Sequence, residues 1–366
     1  MHLEADVLLA PMTTLGIGGP AQWFCEAKTP DAVAEALAWA RERDASVTVL
    51  GGGSNVVIAD AGVEGLVLRI GIRGLAFAAR GARTIVSAGA GERWDDVVHA
   101  VVERGLAGVE CLSGIPGTVG GTPIQNVGAY GQEVGHVISA VTVMDRVEGR
   151  VRLLTADECG FAYRASRFKL KDQGRFVVLG VELALSPGRG SVTYPDVTAW
   201  CAERGVADPT VGDIRQAVLA IRASKGMVLN ASDRDTASVG SFFTNPVLEE
   251  REVARLKGRL GVTVPAYPTG RRLLKVPAAW LLEQAGCGRG FGTGPARLSS
   301  KHALAITNVG GARARDVVAL ACVIKRAVEE RCGVSLVPEP VFLGFGADPD
   351  VAYLMRNTEQ HVDTGH

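Results

Sequence analysis

Between Cys111 and Gly131 the chain reads CLSGIPGTVGGTPIQNVGAYG, with glycines at 114, 117, 120, 121, 128 and 131, and a further one at 108. The amide pair Gln125 and Asn126 lies near Tyr130, and charge is almost absent. Glycines this dense weaken a helix or strand, each by up to about 1 kcal/mol relative to alanine. They do let backbone approach a flat or phosphorylated ligand and offer N–H groups to it. A large, anionic, planar cofactor is the ligand expected here, and a tight structural turn is the alternative. A second glycine run, VLGGGSN (Val49–Asn55), follows one β-branched strand and precedes another. It is not a GxGxxG motif opening a helix, nor a P-loop. Alone, it reads either as a hairpin turn or as a phosphate cradle.

Four smaller clusters carry further chemistry. In YRASRFK, Tyr163, Arg164, Arg167 and Lys169 form an aromatic and cationic segment, suited to a carboxylate or to a charged strand edge. In VGSFFTNP, Ser241 sits between Gly240 and two phenylalanines, where its hydroxyl is satisfied by backbone in a turn or aimed at a ligand. Arg222 and Lys225 of IRASKG share a helix face and serve a pyrophosphate or solvent equally well. Glu339 stands between prolines in the apolar LVPEPVF, and a carboxylate there is costly to bury unless paired or protonated. His302 reads as a core or a ligand-facing histidine. No metal-binding motif is present.

The elements that must position these residues follow from periodicity. A helix is expected from Pro30 and Asp31 through Ala40, then a strand at Val47–Leu50 and an amphipathic helix at Trp94–Glu103. Strands follow in VISAVTVMD, GRVRLLT and RFVVLGVELALS, the first two joined by a turn from Asp145 to Gly149. SPGRGSVTYPDVTAWCAERG reads as polar and turn-rich, and a capped helix ends at Gly226. Helices at Glu249–Leu260 and Ala314–Glu330 flank a strand at Leu304–Asn308. The fold class is α+β. The expected domains are 1–70 and 71–205, together binding the cofactor, 206–346 binding substrate, and a mobile tail at 347–366.

At 366 residues, 47% hydrophobic and 21% charged, the chain suits an ordinary globular protein of two or three domains. Lys+Arg and Asp+Glu both total 39, so no net charge draws it to nucleic acid or an anionic membrane. Its seven scattered cysteines form no CxxC pair, which points to a reducing compartment. The amino-terminal residues show no signal-peptide pattern, and no run reaches the roughly 18 apolar residues of a membrane span. A cytoplasmic protein is expected.

Together these clusters resemble one family, the UDP-N-acetylenolpyruvoylglucosamine reductases. The resemblance rests on TTLGIGG (Thr13–Gly19), VLGGGSN, SGIPGTVGGTPIQNVGAYG (Ser113–Gly131), YRASRFK, VGSFFTNP, KVPAAWLLEQAG (Lys275–Gly286) and PEP (Pro338–Pro340). It implies an FAD-binding domain of the vanillyl-alcohol-oxidase type in two α+β subdomains, followed by an α+β substrate domain. Non-covalent FAD would be held by Gly51, Gly52, Gly53, Ser54, Asn55, Ser113, Gly114, Ile115, Pro116, Gly117, Gly120, Gly121, Gln125, Asn126, Gly128, Ala129 and Tyr130.

Carried over position by position, Arg164, Ser241 and Glu339 fall on the catalytic residues. NADPH would reduce the cofactor, and the enolpyruvyl group of UDP-N-acetylglucosamine enolpyruvate would then accept hydride, giving the lactyl ether for peptidoglycan synthesis. Ser241 would supply the proton. Arg164 and a Glu339 kept protonated by burial would stabilise charge developing on the substrate carboxylate. Tyr194 matches a tyrosine that closes over substrate in one subclass. Arg222, Lys225, Asn245, Tyr267 and Lys275 match positions for the phosphates of substrate or NADPH. Two departures stand out: a cation usually found two residues after the glutamate is replaced by Val341, and KGMVLNASDRDT differs from the family's shorter form. A monomer without membrane or nucleic-acid partners is expected. The competing readings are a sugar or lactone oxidase of the same cofactor fold, for which Cys111 is the only candidate tether, and a non-catalytic nucleotide-sugar-binding module.

Overall fold

The computed structural model describes residues 1–190 and 192–356. They form two units that interleave along the chain. The first is built from Met1–Val7, Ala21–Gly53 and Val63–Val228; the second takes Leu8–Pro20, Ser54–Gly62 and the chain from Leu229 onward. The expected boundaries at 70 and 205 therefore do not mark the units. The reason is packing: Leu15, Ile17 and Val57 contribute to the core of the second unit, although they lie early in sequence.

In the first unit, helix α1 (Pro30–Glu42) begins as its sequence dictates, with Thr29 Oγ1 accepting the Ala32 N–H at 3.1 Å. Val33, Ala36, Leu37 and Ala40 form its buried stripe. It packs on a sheet ordered Glu4–Leu8, Pro20–Ala27, Val63–Ile70, Val47–Leu50, whose last three strands run parallel. Val56–Ile58, by contrast, pairs in parallel with Val341–Leu343 of the second unit. The two strands around GGGSN thus belong to different sheets, and the hairpin reading is overturned.

Helix α2 (Trp94–Glu103) matches its expected bounds and buries Trp94, Val97, Val98 and Val101. It accompanies an antiparallel sheet ordered Arg150–Thr155, Ile138–Asp145, Phe176–Pro187, Arg83–Gly89, Leu75–Arg80. The turn after Asp145 is locked by that residue's fully buried carboxylate. Oδ1 accepts the N–H groups of Val147 and Glu148 at 3.0 and 3.2 Å, and Oδ2 accepts Arg175 at 2.7 Å. A short α3 (Ala156–Cys159) follows.

Helix α4 (Pro195–Glu203) lies in the stretch read as turn-rich; only Val197 and Cys201 are buried, too few to show a period. Helix α5 (Val211–Ser224) opens with a capping box from Thr210 to Asp213. It packs against α2, α4 and the turn Glu110–Leu112, which puts it in the first unit and not with a substrate domain beginning at 206.

The second unit holds α6 (Glu250–Leu260), α7 (Ala278–Gln284), α8 (Ala314–Cys332) and α9 (Pro349–Met355). Two three-stranded antiparallel sheets complete it: Ser238–Ser241, Ala305–Asn308, Ala296–Leu298, and Val247–Glu249, Leu273–Lys275, Tyr267–Gly270. Helix α9 occupies the start of the expected mobile tail. Leu354 is buried, and fully buried Lys325 of α8 donates to the carbonyls of Tyr353, Leu354 and Arg356 at 3.1, 2.9 and 2.7 Å. That ammonium satisfies carbonyls that a helix end leaves open. Residues 357–366 of the expected tail lie outside the described residues.

Candidate active site

The central glycine stretch is pinned along its first half by the segment that leads into α2. Val119 and Gly120 N–H donate to the carbonyls of Glu92 and Ala90, and Trp94 N–H donates to Gly117. The Trp94 indole reaches Leu112 O at 3.1 Å. The second glycine run meets it there. A Cβ on Gly52 would stand 2.6 Å from Gly117 Cα, and one on Gly51 would stand 2.9 Å from Thr118 Oγ1. Only glycine permits this approach. Thr118 Oγ1 is buried and has no hydrogen-bond partner within the protein. Two bare backbone loops and an orphaned hydroxyl fit the diphosphate of a dinucleotide such as FAD.

Behind the stretch lies a polar brace. Buried Glu110 accepts Gly108 N–H at 2.6 Å and Gln132 Nε2 at 2.8 Å, while Gln132 Oε1 accepts Cys111 N–H at 2.8 Å. Buried Ser113 donates to Glu110 O at 2.6 Å, so its hydroxyl is used within the loop. Cys111 is fully buried, and burial, reinforced by the Glu110 charge, pushes its thiol up to about 12. Such a thiol is inert. It is unsuited to tether a flavin, which removes the one attachment point open to an oxidase reading.

The second half of the stretch carries Arg164. Ala162 and Ala165 exchange hydrogen bonds of 3.0 and 3.1 Å, leaving Tyr163 and Arg164 at the tip of a tight turn. Arg164 sits at φ 52°, and Asn126 and Tyr130 at 48° and 49°. Each such residue costs of order 1 kcal/mol or more and persists because neighbours over-determine it. Three contacts do so here. Asn126 Nδ2 donates to Ala162 O at 3.0 Å, Ser166 Oγ to Ile124 O at 2.6 Å, and Arg164 Nη2 to Gly128 O at 2.7 Å. Asn126 also donates to Glu133 and accepts Gly135 N–H, so its side chain holds the loop together instead of facing outward. Gly128 and Ala129 pair with Gln132 and Glu133, the turn being Tyr130–Gly131.

Beside this turn the unit gathers Tyr130, Tyr194, Arg222 and Lys225. The Tyr130 and Tyr194 rings meet edge to face at 5.2 Å. Lys225 Nζ lies 5.9 Å from the Tyr130 centroid and bonds Asp196 at 2.8 Å. Arg222 is 5% exposed; it donates to Met227 O at 2.9 Å, yet its Nε has no partner within the protein. Burial lowers its pKa, with the Tyr130 hydroxyl and the Asp95 charge opposing. Burial likewise raises that of Tyr130, partly offset by Arg222 and Lys225.

The second unit carries the other expected residues. Ser241 ends the strand Ser238–Ser241, facing Ala305. Glu339 N–H donates to Phe242 O at 2.8 Å and Thr244 N–H to Val337 O at 3.0 Å, so the Glu339 segment runs beside the one that follows Ser241. Both side chains are half-buried. Asn55 Nδ2 donates to Glu339 O at 3.3 Å, and Val341 N–H donates to Asn55 O. Next to Val341, which stands in place of the expected cation, Phe342 packs on Phe242 and Phe345, with centroids 6.2 and 5.7 Å apart. Tyr267 and Lys275 face one another across the second small sheet. Asn245 Oδ1 caps α7 through the Ala278 N–H at 2.9 Å. His302 Nδ1 accepts Leu304 N–H at 3.2 Å, a structural bond.

Arg164, both tyrosines, Arg222, Lys225 and the glycine loops through Gly53 belong to the first unit. Ser54, Asn55, Ser241, Glu339, Asn245, Tyr267 and Lys275 belong to the second. Sequence reasoning missed Thr118, Glu110, Gln132, Asp95 and Arg215. Glu110, like Glu339, is a lone carboxylate in an apolar run. Among the described residues no cluster could hold a metal ion.

A family profile for an FAD binding domain matches residues 21–155, and one for the UDP-N-acetylenolpyruvoylglucosamine reductase C-terminal domain matches residues 232–343. The UDP-N-acetylenolpyruvoylglucosamine reductase of Thermobifida fusca is 46% identical over 351 residues, covering 93% of this chain and 97% of that protein. The proteins of the same name from Streptomyces coelicolor and Mycobacterium marinum are 47% and 46% identical, covering 93% and 94% of this chain and 90% and 96% of their own. The crystal structure of the reductase from Thermus caldophilus superposes with a TM-score of 0.64 at 27% identity, covering 94% of this chain and 99% of that one. The expected α+β class, with an FAD-binding domain and a separate C-terminal domain, holds. Matched over nearly its full length, the chain belongs to the UDP-N-acetylenolpyruvoylglucosamine reductase family.

Proposed function

We propose that Arg164, Ser241 and Glu339 carry the reaction of this enzyme, the NADPH-dependent reduction of UDP-N-acetylglucosamine enolpyruvate to UDP-N-acetylmuramate for peptidoglycan synthesis. The observation that carries the assignment is the turn at Arg164: a strained arginine held to the glycine stretch by three independent hydrogen bonds. The two glycine loops would hold FAD, which once reduced by NADPH would supply the hydride. The enol ether accepts it only if its carboxylate can take up negative charge, and a guanidinium provides bidentate, permanently charged contact for that purpose. Glu339 donates a hydrogen bond to the same carboxylate in its protonated form. Ser241 Oγ gives its proton to the carbon bearing the carboxylate; a hydroxyl suffices where the acceptor is a carbanion at hydrogen-bond distance.

Lys225, Arg222, Asn245, Tyr267 and Lys275 bind phosphates of the nucleotide substrate or NADPH, and Tyr194 covers the bound substrate. We further propose a cytoplasmic monomer; seven buried, free thiols suit a reducing compartment. No helix among the described residues is long and apolar enough to cross a membrane.

The test is an anaerobic spectrum. Purified protein should be yellow, bleach with NADPH, and recolour on addition of the enolpyruvyl nucleotide. Ser241→Ala should bleach normally and fail to recolour. Recolouring at the wild-type rate would remove the serine from the reaction.

A further inference from the structure

Gly114 is the glycine of the central stretch whose N–H is taken by a side chain. The acceptor is Asp95 Oδ1, in the first turn of α2, at 2.6 Å. Arg215 of α5 grips the same carboxylate at both ends, Nη1 to Oδ1 at 2.6 Å and Nη2 to Oδ2 at 2.9 Å. The Asp95 and Arg215 side chains are 31% and 12% exposed, so little solvent screens the pair. Burial, which alone would raise the Asp95 pKa, is outweighed by Arg215 and the Gly114 N–H, and the carboxylate stays charged.

The same face of α5 presses on the loop. Leu219 and Arg222 lie one and two turns beyond Arg215, and a Cβ on Gly114 would meet Leu219 Cδ2 at 2.8 Å and Arg222 Nε at 3.5 Å. Gly114 itself sits at φ 70°. The position of the loop is thus set by α2 and α5 together. Yet a carboxylate bonded to an anion-binding loop would repel the anion. Arg215 removes that conflict by neutralising Asp95 where it stands.

We propose that Asp95 and Arg215 form a charge-neutral anchor that fixes the Gly114 loop for a nucleotide diphosphate, Asp95 as positioning residue and Arg215 as its compensating charge. This rests on the reading of the glycine loops as the FAD cradle. It assigns work to two residues outside the proposed catalytic set of Arg164, Ser241 and Glu339.

The test measures FAD retention and its dissociation constant on dilution of the holoenzyme, by flavin fluorescence, at low salt and at 1 M salt. Arg215→Gln should weaken FAD about tenfold at low salt, the scale of one uncompensated charge across a partly buried site. Part of that loss should be relieved at 1 M salt, and only part, because the partly buried pair is reached incompletely by screening. The double variant Asp95→Asn/Arg215→Gln should bind FAD more tightly than Arg215→Gln alone, because the repelling charge has gone. Arg215→Lys, which keeps the charge but not the two-point grip, should retain FAD better than Arg215→Gln. A double variant as weak as Arg215→Gln, or a loss independent of salt, would reduce the pair to a structural tie and overturn the proposal. Gly52→Ala separates the two readings. If it too leaves FAD affinity untouched, the cradle itself is wrong; if it loses FAD while Arg215→Gln does not, only the anchor fails.

Discussion

The closest backbone approach in the cradle, Gly52 against Gly117, gives the most direct measure of how tightly it is built. A methyl group on Gly52 would place its carbon 2.6 Å from Gly117 Cα, 2.9 Å from Gly117 C and 3.0 Å from Thr118 N. Non-bonded carbons settle at about 3.5–4.0 Å, so Gly52→Ala must separate the loops by roughly 1 Å. No flexible side chain can yield, since all three atoms are backbone. Over-packing of this kind costs about 1–3 kcal/mol. The Gly117 side is tied to α2 through Trp94 and the Glu92–Val119 bond, whereas the Gly52 side is a short connection, so the loops part on the Gly52 side. The free protein then tolerates the change, and the cost falls on the state that needs the loops closed. FAD should bind about 5- to 150-fold more weakly, with a small change in melting temperature of the cofactor-free protein. Flavin fluorescence titration checks the first and a thermal scan the second. A useful control is Gly258→Ala on the exposed face of α6, where a methyl meets nothing within 4 Å and should stabilise by up to about 1 kcal/mol. If Gly52→Ala keeps wild-type FAD affinity, the close approach has nothing to do with the cofactor and the reasoning fails.

Two further outcomes follow from bonds described above. Asp145→Asn should cost about 3 kcal/mol, near the lower end for a broken buried pair because Arg175 and Arg152 are 32% and 30% exposed; urea unfolding at neutral pH reads this. The hydrogen bonds from Arg175 hold the Asp145 pKa well below the usual carboxylate range against the opposing effect of burial. A depressed carboxylate contributes stability that is full above its unfolded value of roughly 3.9 and lost as pH falls further, so the wild type should lose stability below about pH 4 more steeply than the variant. Parallel acid limbs would contradict the assignment. Ser166→Ala removes the buried bond to Ile124 O and frees one side of the Arg164 turn. Turnover should fall about tenfold while FAD content and melting temperature change little, consistent with a single hydrogen bond of about 1 kcal/mol that orients a catalytic arm. Unchanged turnover would show that the turn holds itself.

The long helices α1 and α2 were legible because their buried residues repeat with a helical period, in α1 behind a capping threonine as well. Val33, Ala36, Leu37 and Ala40 repeat along α1 behind Thr29 and Pro30, and Trp94, Val97, Val98 and Val101 mark α2. Helices α4, α7 and α9 were not, since at nine residues or fewer each is too short to show a sustained period. Strand pairing between Val56–Ile58 and Val341–Leu343 spans most of the chain, and nothing local in either segment announces it. In the candidate site, glycine density drew attention to the loops proposed to hold the cofactor, and the family's motifs to Arg164, Ser241 and Glu339, the residues proposed to act. The supports stayed hidden. Asp95 in a first helical turn looks like an ordinary partner of the helix dipole, and its bonds to Gly114 and Arg215 depend on packing between elements far apart in sequence.

The hydrogen bonds also distribute stiffness unevenly, and that distribution bears on turnover. Arg164 is bonded to Gly128, its turn to Asn126 and Ile124, and the stretch to α2, so the glycine loop and the proposed catalytic arm of the first unit are tied together. Ordering these groups costs entropy when the chain folds and not when substrate arrives, which is the benefit of preorganisation. In the second unit Tyr267–Gly270 is an edge strand exposed at every residue, held by one partner strand with an irregular register. Few buried contacts mean cheap local opening. On the proposed roles of Tyr267 and Lys275, phosphate ligands that enter and leave would meet a pliable sheet. Arg164, proposed to stabilise charge on the substrate, stays fixed to the glycine loop, and a substitution that loosens Asn126 or Ser166 should cost turnover even when every ligand still binds.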